Sequence, residues 1–104
     1  MAAAPPFVSY STMSEAVVPL EDWPHLYASL QAHKAHVQEY PGCQRFEAWV
    51  DVEEEAVRIH CYTTWDTVEQ LEVFVERGYT FERLLADVGS GLHAERSLVL
   101  EKVF

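Results

Sequence analysis

Two ten-residue stretches that alternate polar and apolar side chains, Cys43–Val52 (CQRFEAWVDV) and Ala56–Trp65 (AVRIHCYTTW), are separated only by Glu53-Glu54-Glu55. Alternation with a period of two marks a half-buried strand, and so short a connection joins two strands only as an antiparallel hairpin. Phe46, Ala48 and Val50 then share one face of the first strand, and Arg45, Glu47 and Trp49 the other. A turn centred near Glu53 and Glu54 sets Cys61 opposite Phe46, a register that disfavours a disulfide between Cys61 and Cys43.

The flanks repeat a pattern on either side of this hairpin. Upstream, Phe7-Val8-Ser9-Tyr10-Ser11-Thr12-Met13 has strand composition, and a linker leads to Glu21-Asp22-Trp23-Pro24, early acids with a first-turn proline that open a helix. Trp23, Leu26, Tyr27, Leu30, His33 and Val37 recur at helical spacing until Pro41-Gly42. Downstream, Thr67-Val68-Glu69-Gln70 has the capping-box form and starts a second helix. Its stripe of Leu71, Phe74 and Val75 meets Gly78, where a kink or brief break is expected, and resumes through Phe81, Leu84, Leu85 and Val88. Gly89-Ser90-Gly91 ends that helix, and Arg96 to Phe104 alternates as a last strand.

The order β-α-β-β-α-β predicts an α+β, ferredoxin-like protomer: a four-stranded antiparallel sheet with two helices on one face. The other face has no helix to cover it, so sheet-to-sheet packing into a homodimer is the expected closure. Residues 1–6 read as a frayed lead-in and 7–104 as one domain. With 17 acidic against 7 basic residues and a net charge of −10, the chain repels nucleic acid and anionic membrane surfaces. No apolar run approaches the ~20 residues that span a bilayer. Two cysteines without CxxC spacing make neither a disulfide scaffold nor a structural zinc site, and a cytoplasmic location is expected.

Three features in this order resemble the antibiotic biosynthesis monooxygenase family, whose members are dimeric α+β barrels. They are the Tyr40-Pro41-Gly42-Cys43 junction after the first helix, the strand ending Tyr62-Thr63-Thr64-Trp65-Asp66 that runs straight into a helix, and Phe81 to Leu85 (FERLL) late in that helix. The resemblance implies oxidation of a hydrophobic aromatic, polyketide-type substrate by molecular oxygen in secondary metabolism, with no metal, flavin or haem. In the related haem-degrading branch an axial histidine lies on the second helix, and Asp66 to Val88 contains none.

The resemblance places Trp65 at the wall of a pocket between sheet and helices, to orient substrate or stabilise an anionic or radical intermediate; the alternative is a core tryptophan anchoring the corner. Cys61 shares a strand face with Ile59, Thr63 and Trp65 and lines the pocket or sits as an inert buried thiol. At the Cys61 position the quinone-forming members carry an asparagine, so Thr63 or a buried water would have to replace its amide. His33, on the helical stripe with Leu30 and Val37, is the general-base candidate, or else a satisfied partly buried histidine. Trp23 and Tyr27, an i,i+4 aromatic pair, and Phe74 and Phe81 either clasp a flat ligand or belong to core or interface. No metal ligand set is assigned, since His33 and His36 lack a third partner.

Three activities suit such a pocket. The first is a cofactor-independent monooxygenase, the second a cyclase, dehydratase or isomerase of the same fold, and the third a non-catalytic dimer that binds a small apolar ligand.

Overall fold

The computed structural model describes residues 9–89 and 91–103. The expected lead-in 1–6, the strand residues Phe7 and Val8, Ser90 and Phe104 lie outside the described residues. The elements are β1 (Ser9–Pro19), α1 (Trp23–Gln38), β2 (Cys43–Val52), β3 (Ala56–Trp65), α2 (Val68–Arg77), α3 (Phe81–Val88) and β4 (Arg96–Lys102). The strands form one antiparallel sheet in the order β2-β3-β1-β4, the ferredoxin-like arrangement.

β1 is longer than its composition predicts. The stretch from Ser14 read as a linker is strand through Pro19, because Ala16, Val17 and Val18 pair with Ile59, Arg58 and Val57 of β3. Strand propensity is set largely by cross-strand neighbours, and β1 has a strand on each side. The hairpin register also differs from expectation: Val52 pairs with Val57, so Ala48, not Phe46, faces Cys61, and Cys43 faces Trp65. The turn lies one residue later than Glu53–Glu54 would centre it, and each such step moves the partner by two. Both cysteines are free, Cys61 buried and Cys43 half-buried.

Helices cover one sheet face, and the core lies between them. Val18 of β1, Val57, Ile59 and Trp65 of β3, Leu26 and Val37 of α1, and Leu85 of α3 are fully buried. On α1 the inward stripe is Leu26, Leu30, His33 and Val37. Tyr27, one position off it, is 53% exposed, and Val75 is likewise exposed beside the buried Leu71 and Phe74 of α2.

The long second helix breaks at Gly78 into α2 and α3. Thr67 caps α2 by accepting the Gln70 N–H at 3.2 Å, and Thr80 caps α3 by accepting the Arg83 N–H at 3.4 Å. Between them the Tyr79 N–H donates to Nε2 of His36 at 3.1 Å, which ties the break to α1 and puts the His36 proton on Nδ1. A Cβ on Gly78 would lie 2.4 Å from the Phe74 ring, so glycine is what lets the chain turn so close to that side chain.

The uncovered sheet face carries Ser11, Met13, Glu15, Tyr62, Thr64, Trp49, Leu98 and Leu100. Ser11 and Thr64 hydroxyls bond across strands at 3.0 Å, and His60 Nδ1 lies 3.5 Å from a Glu15 carboxylate oxygen. Among the described residues no helix is long and apolar enough to cross a membrane.

Candidate functional site

A cavity of about 320 Å³ opens between the helix-covered sheet face and the α2–α3 pair. Strand register builds its floor as two rows. Cys61, Ser14 and Ser97 are paired across β3, β1 and β4, and so are Thr63, Thr12 and Val99. Phe74 and Val75 of α2, Thr80, and Phe81 and Glu82 of α3 form the roof, and His33 of α1 closes one end. Ser97 and Val99 are exposed where β4 runs beyond the helices, so the cavity opens at that edge.

His33 is 5% exposed, and its Nδ1 is buried without a hydrogen-bond partner among the described residues. Burial lowers its pKa to about 4, and neighbouring His36 adds to the effect. The ring packs edge-on against Phe46 and Tyr79, with centroids 5.4 and 6.0 Å away. At neutral pH it is an uncharged imidazole held by carbon neighbours at a cavity wall. Burial pushes the Cys61 thiol up to about 12, so it stays protonated and is a poor nucleophile.

Trp65 lies one layer behind the cavity. It is fully buried, stacks on Phe74 at 5.0 Å with 28° between the rings, and its indole N–H donates to Thr63 Oγ1 at 2.8 Å. It therefore meets the cavity only through Phe74 and Thr63, and does not line it as the resemblance implied. Thr63 Oγ1 is also hydrogen-bonded to Thr12 Oγ1. Five candidates from the sequence come together here: His33, Cys61, Thr63, Phe74 and Phe81. Trp23 and Tyr27 do not. They pack edge to face at 5.7 Å along a separate surface cleft between α1 and β2, with Lys34, Phe46 and Val50.

Thr12, Ser14, Ser97 and Thr80 were not foreseen. Their hydroxyls read as ordinary strand surface and cap residues, and only the β1–β3 and β1–β4 register aligns the first three along the cavity floor.

No family model matches the chain, and no curated protein matches it. Solved structures do. A protein of Nitrosomonas europaea assigned by name to the antibiotic biosynthesis monooxygenases superposes with a TM-score of 0.70 at 16% identity, over 98% of this chain and 95% of its own. The chain shares the fold of that protein. Two further chains share it. The heme-degrading protein Rv3592 of Mycobacterium tuberculosis matches with TM-score 0.64 and 20% identity, over 92% of this chain and 95% of its own. The de novo designed protein Foldit4 matches with TM-score 0.67 and 15% identity, over 90% and 98%. A design reaches this fold too, and a fold by itself does not carry a function.

The cavity's volume is about twice the ~150 Å³ that holds one benzene, which matches a flat ligand of about two rings. Neither α2 nor α3 carries a histidine, and His33 of α1 is the imidazole on the lining.

Proposed function

We propose that the protein is a cofactor-independent monooxygenase that oxidises a small aromatic substrate with molecular oxygen. The observation that carries this reading is the neutral imidazole of His33 at the wall of an apolar cavity whose floor is hydroxylated, its Nδ1 buried without a partner among the described residues. The family name borne by several fold neighbours supports it.

The chemistry asks little of the protein. A phenol or a benzylic CH₂ activated by a neighbouring carbonyl loses a proton to His33, and the anion is held between Phe74 and Phe81 with its oxygen toward the floor hydroxyls. The electron-rich anion passes one electron to O₂, and the radical and superoxide combine at carbon to give a peroxide. Loss of water leaves a carbonyl, so CH₂ and O₂ become C=O and H₂O with no external reductant. Exclusion of water and a fixed anion site lower the barrier to the first transfer. His33 is a weak base when the cavity is empty, and an anion beside it raises its proton affinity.

A second reading is favoured by Cys61, a protonated thiol where an amide would hold a substrate oxygen. The same base and hydroxyls then catalyse proton transfer alone, as a cyclase, dehydratase or isomerase.

The uncovered sheet face supports a homodimer. Trp49 is 61% exposed and Leu100 46%, and they flank Met13, Tyr62 and Leu98. A second copy of this face is the proposed cover.

The deciding experiment incubates the purified protein with two- and three-ring phenols and anthrones in air and under argon. Oxygen-dependent carbonyl formation that falls about 10²-fold or more in His33→Gln is the expected result. Equal conversion under argon would select the proton-transfer reading, and saturable binding without conversion would leave a ligand-binding protein.

A further inference from the structure

Thr12 and Thr63 together hold one more proton than their mutual contact uses. Thr63 Oγ1 accepts the indole N–H of Trp65 at 2.8 Å and is hydrogen-bonded to Thr12 Oγ1. An indole N–H only donates, so the direction of that first bond is fixed. The two hydroxyls own two protons. One lies in the Thr12–Thr63 bond, and the other is left on a hydroxyl that lines the cavity. Whichever way the pair is oriented, it offers the cavity a donor, and donation from the indole strengthens it along the chain. Thr63 is 4% exposed and Thr12 half-buried, so the pair is largely withdrawn from water, where such a donor is stronger.

The surroundings fit an oxygen anion generated in place. Phe74 and Phe81 confine a flat body, and His33 is the only imidazole on the lining among the described residues. The carboxylate of Glu82 stands at the exposed lip, where it accepts the Ala94 N–H at 2.8 Å. A chain of net charge −10 repels anions at a distance, so a neutral phenol or enol enters and ionises inside.

We propose that the Thr12–Thr63 pair, backed by the indole of Trp65, is a binding site for the oxygen of a phenolate or enolate, and that Trp65 acts through Thr63 as a positioning residue. This deepens the proposed function and rests on its cavity and ligand class, but not on its use of oxygen.

The test is a pH titration of 4-nitrophenol bound to the full-length protein under argon, read by the phenolate absorbance. Loss of a hydrogen bond to a charged group raises the bound probe's midpoint by about one to two pH units in Thr12→Val and Thr63→Val. Trp65→Phe, which keeps the ring stack, raises it by less, and Thr63→Ser restores the wild-type midpoint. A purely structural role for Trp65 would weaken folding without moving the midpoint. Absence of saturable 4-nitrophenol binding, or equal midpoints in wild type and both valine variants, overturns the proposal. A shifted midpoint in a protein that never consumes oxygen would leave this site standing and remove the monooxygenase reading.

Discussion

Trp65 and Phe74 stack with centroids 5.0 Å apart, and Phe74 in turn lines the cavity. One ring thus joins the fully buried end of β3 to the candidate site. Phe74→Ala removes a buried ring 4% exposed and is expected to lower unfolding free energy by about 3–5 kcal/mol, read from urea denaturation. Gly78→Ala presses on the same ring, which must shift to admit a Cβ, and a loss of about 1–3 kcal/mol is expected. An unchanged midpoint in both variants would mean that this stack does not anchor α2.

His33 makes stability depend on pH. Its pKa is about 4 when folded against 6.5 in the free side chain. Between those values the unfolded chain binds a proton that the folded chain does not, so stability falls as pH falls from about 6.5 to about 4, and the contribution is complete above 6.5. The loss amounts to ~3 kcal/mol across the window. The His33→Gln variant removes this component, and the difference between the two stability–pH curves measures it. Parallel curves would show that His33 titrates alike in both states.

The two thiols differ in accessibility. Cys61 is buried with its pKa pushed up to about 12, whereas Cys43 is half-buried, its pKa raised mainly by burial. A disulfide reagent at neutral pH is expected to modify Cys43 slowly in the native protein and Cys61 only on unfolding. Peptide mapping after labelling reads this directly, and rapid native labelling of Cys61 would mean that the cavity opens widely.

The dimer prediction rests on the sheet face. Met13 lies at the centre of that face, paired with Tyr62 and Leu98. Light scattering is expected to give twice the mass of one chain for the wild type and one chain for Trp49→Asp, a substitution at an exposed position of the same face, with the far-UV spectrum retained. A wild-type monomer would leave Trp49 and Leu100 as a face for some other partner.

Most of the element order was legible because each signal is local. The bounds of β2 and β3 follow from alternation, α2 from the Thr67 cap, and its break from Gly78. Part of the candidate site was legible for the same reason, since Cys61 and Thr63 share a strand parity and His33 falls on the stripe of α1. Tyr27 was misplaced because an apolar residue beside a helical stripe reads like one on it. Trp65 was left open between the pocket wall and a core anchor of the corner, and packing sets it one layer behind the cavity.

The sequence by itself determined the succession of strands and helices, the acidic surface and the residues facing inward on α1 and β3, because periodicity and caps act over a few residues. Only the tertiary structure decided that Thr12 meets Thr63, that Trp65 reaches the cavity through a hydroxyl, and that His33 Nδ1 is buried without a partner among the described residues. Those outcomes depend on register between strands about fifty residues apart and on how a helix seats over them, where a shift of one position sends every side chain to the opposite face.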